Sequence, residues 1–317
     1  MNIRIVTDST CDLPEGIVRQ HSITVIPLTI NTGENSFLDG VDLTRSEFYA
    51  RLPHFNPHPK TAAPGPEIFA QAFERLASEG AQAILSIHIS ETLSATVNSA
   101  RIAAKQFTRI PVTVLDSSQL SLGLGFIVER AAQLAESGKE AQEIIPALQH
   151  LMKRTYVFAS LKTLEYLRRS GRMNFALAKF GEILQLKPLL HMNMGKADAH
   201  RTRTQKRATA RLLEWLAEYA PYERLAILHA GIQEEAEALV QQTLGYFPQG
   251  EILIAQITPV LGAHLGLGAL PAEQFLVDQQ SLFALAQVEH GHARDEGGDR
   301  RRQNPGRLGA QTEREDG

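Results

Sequence analysis

Short apolar runs alternate with longer amphipathic stretches along the first half of the chain. The runs predict strands over residues 3–7, 23–27, 83–89 and 112–115. Apolar residues at the helical period predict helices over residues 14–20, 44–52, 66–79, 93–106, 121–137 and 140–153. Because parallel strands are joined by helical crossovers, this alternation favours a mostly parallel sheet that is covered by helices on both faces.

The second half of the chain shows the same alternation. It predicts strands over residues 156–160, 186–192, 225–229 and 252–257, and helices over 162–169, 175–184, 204–219 and 233–245. The pattern therefore favours an α/β fold with an N-terminal domain over 1–152 and a second α/β domain over 153–285. From Gly291 the chain is rich in arginine, acids and glycine and has no aromatic residue, Ile or Val, which predicts a disordered tail over 291–317.

Composition narrows the class of protein. The chain has 317 residues, of which 43% are hydrophobic, so it can bury a sizeable core. Its net charge of −3 lacks the basic footprint of nucleic-acid binders. No apolar run approaches the ~18 residues of a membrane-spanning helix, and we expect neither a signal peptide nor an internal disulfide, since Cys11 is the single cysteine. These features predict a cytoplasmic protein.

The segment 258–268 carries the most distinctive candidate chemistry. It follows an apolar run and sets His264 among Gly262, Gly266 and Gly268. Glycine allows backbone conformations and close approaches that a Cβ forbids. The spacing predicts a turn that presents the imidazole to a small acidic or carbonyl group.

Two upstream segments are rich in hydroxyl groups. Ser90, Thr92 and Ser94 crowd the start of the helix that is predicted after the third strand, and Thr61 precedes the Pro-Gly-Pro turn at 64–66. Helix N-termini have free N–H groups and attract anions. Ordinary N-capping is the alternative explanation for both segments.

Together with the opening at residues 5–14, these segments resemble the DegV family of bacterial fatty-acid-binding proteins. The resemblance covers residues 1 to about 269 and rests on blocks that occur in order. The blocks are 5–14, the Thr61 turn, 93–96, 114–118 with 122–125, 164–172, 186–190 with Gly195, and the His264 turn.

The resemblance implies a two-domain DegV-like fold with the ligand site between the domains and the acyl chain in the C-terminal one. It implies that Thr61, Ser94 and His264 hold the carboxylate of a long-chain fatty acid. The chain would then be a non-catalytic, lipid-binding subunit that presents its ligand to a separate ATP-dependent fatty acid kinase, which forms an acyl phosphate for phospholipid synthesis. No cofactor or metal is expected.

The resemblance also suggests where the kinase docks and where the acyl chain lies. Matching positions place kinase contacts at Arg168, Arg169 and Arg172, for which a solvated helix end is the alternative. The stretch 156–192 is the candidate tunnel region, although an apolar helix face is more often core. Its large apolar side chains are Phe158, Phe175, Leu177, Phe180, Ile183 and Leu184. Departures from the family pattern at Ala62, Gly65, Ala95 and Leu267 leave headgroup geometry and acyl-chain preference open.

Other chemistries find little support in the sequence. It contains no Gly-x-Ser-x-Gly elbow, Walker A loop or dinucleotide-binding glycine motif. His54 and His58 lie in a Pro-rich loop and are expected to be solvated, and Asp8 and Asp12 are interpreted as a turn and cap rather than a metal or acid pair. The main alternative function is a dihydroxyacetone-kinase-related enzyme or binder, in which His264 holds a small carbonyl compound.

Overall fold

The structure is a computed structural model, and it describes residues 1–172, 187–246 and 252–276. The described residues belong to one compact unit, Met1–Leu276. The helix predicted over 175–184 and the tail predicted over 291–317 lie outside the described residues. The domain boundaries predicted at 152/153 and 285 stay predictions.

Helices and strands alternate along most of the described chain. The described helices are α1 (Glu15–Gln20), α2 (Arg45–Arg51), α3 (Pro66–Ser78), α4 (Thr96–Gln106), α5 (Ser121–Glu136), α6 (Ala141–Lys153), α7 (Glu165–Arg169), α8 (Gln205–Glu218), α9 (Gln233–Thr243) and α10 (Pro259–Leu265). The described strands are β1 (Ile3–Asp8), β2 (Thr24–Ile26), β3 (Thr29–Thr32), β4 (Asn35–Leu38), β5 (Lys60–Ala62), β6 (Ala83–His88), β7 (Val112–Asp116), β8 (Thr155–Ser160), β9 (Lys187–Asn193), β10 (Lys196–Thr202), β11 (Tyr222–His229), β12 (Leu253–Gln256) and β13 (Leu270–Leu276).

The N-terminal sheet has the strand order β2-β1-β6-β7, and all its strands run parallel. Side chains alternate between its faces. Val6 and Ile84 pack with Phe73 of α3 on one face, whereas Ile5 and Leu85 belong to the core that includes α5 and α6 on the other. The predicted parallel sheet with helices on both faces is therefore confirmed.

A small antiparallel sheet, with the order β4-β3-β5, was not predicted from the sequence. Its strands are short, and half of their side chains face solvent, so their apolar periodicity is weak. Thr61 lies in β5, directly opposite Ile30. Thr61 therefore precedes the Pro-Gly-Pro segment at 64–66, as expected, but it does so in a strand that was not predicted.

The C-terminal sheet has the order β10-β9-β8-β13-β11-β12 and is mixed. Its central strand, β13, is antiparallel to both β8 and β11. Neither β13 nor β10 was predicted. The residues of β10 are mostly polar and alternate between exposed and half-buried positions. β13 comes directly after the glycine-rich segment, for which the sequence predicts a turn.

The segment after Thr258 forms helix α10 rather than the predicted turn. Pro259 occupies the first helical position, where its missing N–H costs nothing. The helix ends at Gly266, whose φ of 78° lies in the left-handed region. A Cβ at Gly266 would also collide with the ring of Tyr166, so both the backbone conformation and the packing require glycine there. His264 therefore projects from the last turn of a short helix.

A buried cluster of polar residues joins distant parts of the chain around Asp12. The Asp12 carboxylate accepts hydrogen bonds from Thr258 N and Ser121 Oγ, both at 2.7 Å, and forms an ion pair with Arg45 at 3.3 Å. Asp8 caps the adjacent turn by accepting from Thr10 N, as predicted. The corresponding prediction for Asp12 is wrong, because its partners are far away in sequence. No metal-binding group of His, Cys, Asp or Glu side chains occurs among the described residues.

Asp39 extends this cluster and gives a testable pH dependence. Burial raises the pKa of Asp39 to about 6, although hydrogen bonds from Thr258 and Ser9 oppose the shift. Between pH 4 and about 6, the Asp39 carboxyl group is therefore protonated in the folded protein and ionised in the unfolded chain. The free energy of unfolding is expected to fall by about 3 kcal/mol as pH rises from 4 through 6. Urea unfolding across this range measures the slope, and an Asp39→Asn variant with an unchanged slope would contradict the assignment.

Candidate functional site

The candidate site forms where the small antiparallel sheet meets α10. Strand β5 carries Thr61 and the last turn of α10 carries His264, and a 2.9 Å hydrogen bond joins Thr61 Oγ1 to His264 Nε2. Both side chains are half-buried. The structure therefore brings together two of the residues that the sequence singled out, although they are far apart in the chain.

The Thr61–His264 pair has a hydrogen to spare in either tautomer of the imidazole. If Nε2–H donates to Thr61, the threonine hydroxyl hydrogen stays available. If the hydroxyl donates to Nε2, the hydrogen lies on Nδ1, which is buried and has no hydrogen-bond partner among the described residues. The pair can therefore donate one further hydrogen bond to a ligand oxygen.

The surroundings of His264 keep its ring neutral. Burial lowers the pKa of His264 to about 4, and the positive charge of Arg172 acts in the same direction. The site thus has a positive potential around an uncharged hydrogen-bonding pair. An anionic ligand would relieve that charge, since opposite charges attract strongly where water is excluded.

His58 is part of the site rather than solvated, so the prediction made for it is wrong. The side chain is half-buried, and Nε2 donates a 2.8 Å hydrogen bond to the carbonyl of Ala263, next to His264. Its ring packs edge-on against Tyr166 with centroids 5.5 Å apart. Burial lowers the pKa of His58. Sequence reasoning missed this residue because nothing local in its loop indicates the contact with α10.

Ser94 lies in the turn before α4, and its hydroxyl pairs with Thr96 Oγ1 at 2.8 Å. The same turn contacts the β9–β10 hairpin, because Thr92 Oγ1 donates to the carbonyl of Gly195 at 3.0 Å. Within the described chain, no hydrogen bond joins Ser94 to Thr61 or His264. The structure thus leaves the common carboxylate site of the three residues as a prediction.

The candidate docking arginines differ in their surroundings. Arg168 and Arg169 are exposed on α7, and both donate to Glu165 at 2.6 Å. Hydrogen bonds from Arg168 and then Arg169 lower the pKa of Glu165 to about 2. Arg172 is half-buried and acts electrostatically on His264. Arg168 and Arg169 therefore present charge at the surface, whereas Arg172 contributes to the site itself.

An apolar cavity of about 50 Å³ lies under the C-terminal sheet. It is lined by Leu120, Ser121, Val157, Ala159, Leu167, Leu190, His191, Met192, Ala197, Leu265, Pro271 and Glu273. Leu265, the residue after His264 in α10, lines this cavity, whereas Thr61, Ser94 and His264 do not.

None of the residues predicted to line the acyl tunnel is found among the lining residues of this cavity. Phe158 lies outside the cavity lining and stacks on His191 and Trp215, with centroid distances of 4.9 and 5.2 Å. Strand alternation explains this, because Val157 and Ala159 on either side of Phe158 line the cavity. The other named candidates, Phe175, Leu177, Phe180, Ile183 and Leu184, lie outside the described residues.

A second and wider cleft, of about 710 Å³, opens beside the buried polar cluster. Asp12, Asp39 and Arg45 lie among its lining residues, together with Leu253 and Ile254 of the edge strand β12. Thr61, Ser94 and His264 do not contribute to it. The cleft was not predicted, because the residues that line it come from segments that only the fold brings together.

The sequence matches the DegV family model, described as "Uncharacterised protein, DegV family", over residues 2–272. The chain belongs to the DegV family. A DegV domain-containing protein of Streptomyces coelicolor is 34% identical over 274 residues, which are 85% of this chain and 96% of the relative. This confirms the family that the sequence motifs indicated.

Solved DegV structures share the fold. A DegV family protein from Thermus thermophilus, described in terms of fatty acid binding, superimposes with a TM-score of 0.77 at 33% identity and covers 87% of this chain and 100% of its own. DegV from Bacillus subtilis, described as a fatty acid binding protein, gives a TM-score of 0.80 at 31% identity with the same coverages. The predicted two-domain α/β DegV-like fold is confirmed. Among the described helices, none is long and apolar enough to cross a membrane.

Proposed function

We propose that this DegV family member binds a long-chain fatty acid, with the carboxylate at the Thr61–His264 pair and the acyl chain in the adjacent apolar cavity. The observation that carries the proposal is that neighbouring residues of α10 belong to the hydrogen-bonded pair and to the cavity lining. His264 forms the hydrogen bond to Thr61, and Leu265, the next residue, lines the cavity. The fatty-acid-binding relatives described above support it.

A buried carboxylate must be satisfied by hydrogen bonds or charge, since burial without a partner is costly. The pair offers one hydrogen, and Arg172 provides a positive potential. Ser94 is the proposed further donor, because it lies at the start of α4, where the helix N-terminus favours negative charge. No permanent charge needs to contact the ligand directly for this arrangement to hold an anion.

The acyl chain supplies most of the binding energy. Burial contributes about 0.8 kcal/mol per methylene, so a chain of about fifteen methylenes gains on the order of 12 kcal/mol before the entropy of association is subtracted. The cavity has room for only a few water-sized groups, about three to five. The proposal therefore requires that side chains around the cavity move apart when the ligand enters.

The small-carbonyl alternative gains no support from the described residues. A triose needs several hydrogen-bonding groups around it, because its hydroxyls lose their water on binding. Beyond His264 and Thr61 the neighbouring cavity is lined mainly by Leu, Val, Ala and Met side chains. This lining suits a hydrocarbon chain.

Protein purified without added ligand is expected to carry a fatty acid in about equimolar amount, because release of the buried chain into water is unfavourable. Native mass spectrometry, followed by extraction with organic solvent and analysis of the extract, measures the bound lipid. A Ser94→Ala, His264→Ala double variant should retain less. Protein that is empty and also refuses added oleate and palmitate would overturn the proposal.

We further propose that the chain is a non-catalytic cytoplasmic subunit. A separate ATP-dependent kinase would bind to it and transfer the γ-phosphoryl group of ATP to a carboxylate oxygen of the bound fatty acid, with ADP as the leaving group. The product is an acyl phosphate for phospholipid synthesis. The exposed Arg168 and Arg169 on α7 support a docking role, since they lie a few residues before Arg172, which acts on His264.

Reversing the charge of this docking surface is expected to lower acyl phosphate formation about tenfold at subsaturating kinase, because rim charges mainly steer association. The change is an Arg168→Glu, Arg169→Glu double variant, assayed with the ATP-binding subunit of a bacterial fatty acid kinase. Arg211→Glu is the matched control, since Arg211 pairs with Glu214 at 2.8 Å on the distant helix α8. Normal turnover in the double variant, with fatty-acid affinity unchanged, would refute docking at α7.

A further inference from the structure

The wide cleft beside the buried polar cluster runs along a strand edge. In the described part of the chain, β12 pairs with β11 on one side and with no strand on the other. Leu253, Ile254 and Ala255 are consecutive residues of β12, and all three line this cleft of about 710 Å³. Successive side chains of a strand point to opposite faces of the sheet. Consecutive lining residues therefore mean that the cleft follows the edge of β12 rather than one of its faces.

Backbone hydrogen-bonding groups of β12 point into the cleft. Ile257 N donates to the carbonyl of His229 in β11 at 3.0 Å, so the backbone groups of Gln256, the preceding residue, point away from β11. The carbonyl of Gln256 accepts a hydrogen bond from Arg45, which also lines the cleft. Backbone direction alternates along a strand, so the N–H and C=O of Ile254 share this outward direction. The edge therefore offers a donor and an acceptor at Ile254, which lines the cleft.

The rest of the cleft is mainly aliphatic. Its volume lies within the ~300–1,000 Å³ that is typical of binding pockets. Its aliphatic and proline residues outside β12 are Leu13, Pro14, Val18, Val25, Pro27 and Val41. Val41 is 68% exposed, and exposed apolar surface with a polar rim marks a protein-interaction site. In strand addition, backbone hydrogen bonds give affinity and pockets for alternate side chains give specificity, and the cleft provides both kinds of contact.

The cleft continues into a basic depression. This depression has a volume of about 370 Å³ and shares three lining residues with the cleft, Arg19 among them. Arg4 and Arg75 also line it, and each lies 3.9 Å from a carboxylate oxygen of Glu79. Arg19 pairs with Glu15 at 2.9 Å. Three guanidinium groups thus share two carboxylates, which leaves a net positive charge that is complementary to an acidic partner.

We propose that this cleft binds an extended segment of a partner protein, which adds a strand to β12. The segment places apolar side chains in the cleft and acidic side chains over Arg19 and Arg75. An extended backbone is the occupant that matches a strand edge, because its own N–H and C=O groups alternate in direction in the same way. Thr61 and His264 do not line the cleft, so this interaction goes beyond fatty-acid binding and does not depend on it.

The probe is a phage-displayed library of linear peptides, which is selected on the full-length protein. Selected peptides are expected to carry apolar residues at alternate positions and Asp or Glu at one end. N-methylation of every second residue should weaken binding about tenfold in one parity, because it removes the donors that face β12, and should have little effect in the other. Fluorescence anisotropy of labelled synthetic peptides measures both affinities. A library without binders, or equal losses in both parities, would overturn the inference.

Ile254→Pro tests the same edge from the side of the protein. Proline is tolerated on an edge strand where the missing N–H faces away from the partner strand, so the variant should fold and lose peptide binding. Unchanged peptide affinity in the folded variant would contradict strand addition at β12. The methylated peptides test this contact on the unmodified protein, so the result does not depend on the folding of one variant.

Arg75→Glu is expected to weaken the binding of the acidic peptides about tenfold at low ionic strength, because rim charges steer association. Arg109→Glu is the matched control, since Arg109 pairs with Glu74 of α3 and lines neither the cleft nor the depression. Equal effects of the two reversals would overturn the acidic preference. A dimer of the unmodified protein in light scattering that Ile254→Pro dissociates would identify a second copy as the occupant and overturn the assignment to a partner protein.

Discussion

Replacing His264 by alanine is expected to weaken the binding of a long-chain fatty acid by about 10- to 100-fold, the usual effect of removing a hydrogen bond to a charged group. The imidazole completes the Thr61 pair, and without it the threonine loses the partner that orients its hydroxyl. Isothermal titration with oleate measures the change. The acyl cavity is untouched, so residual binding should remain.

The control for this result is His54→Ala, because His54 is an exposed histidine on the loop that leads to β5. The affinity of the His54→Ala variant for oleate should equal that of the unmodified protein. Thr61→Val adds a stricter test. Since Thr61 and His264 share one hydrogen bond, the double variant should lose less than the sum of the two single losses. Unchanged oleate affinity in His264→Ala would place the carboxylate elsewhere.

Replacing Asp12 by alanine is expected to lower the free energy of unfolding by about 3–5 kcal/mol, because two donors lose their acceptor at a cost of about 1–3 kcal/mol each. Asp12 is almost fully buried and satisfies Thr258 N and Ser121 Oγ as well as Arg45. In the variant, Thr258 N and Ser121 Oγ lose this acceptor, whereas Arg45 keeps its hydrogen bond to the carbonyl of Gln256. Urea unfolding followed by circular dichroism measures the loss.

Glu34→Ala is the matched control for Asp12→Ala, because Glu34 is an acid on an exposed turn between β3 and β4. Its effect should stay within about 0.5 kcal/mol, as for most surface substitutions. A loss below about 1 kcal/mol in Asp12→Ala would mean that water or rearranged side chains replace the carboxylate easily. The cluster would then not be what joins the start of α5 to the start of α10.

Local patterns were sufficient for much of the N-terminal half. The β1, β6 and β7 runs are bounded by amphipathic helices, and their apolar residues recur at the strand and helix periods. These periods can be recognised without knowing which strand is the partner. The short strands β3 and β5 lack them, because their stability comes from pairing with each other across a long stretch of chain.

Some residues of the candidate site could likewise be identified from local motifs, and others could not. The glycine-rich segment around His264 identified that histidine, and a hydroxyl motif identified Thr61. Nothing local indicated that His58 bonds to the carbonyl of Ala263 or that Val157 and Leu190 line the same cavity. Both depend on which residues the fold places opposite each other.

By itself, the sequence determined the family, the α/β class and the residue types available for a carboxylate site, because these follow from local periodicity and motif order. Only the tertiary structure decided that Thr61 and His264 meet at 2.9 Å, and that Leu265 lines an apolar cavity. It also decided which side chains have no partner. Strand register and side-chain packing decide which distant segments form hydrogen bonds and bury each other. The local alternation of polar and apolar residues encodes neither the register nor the packing.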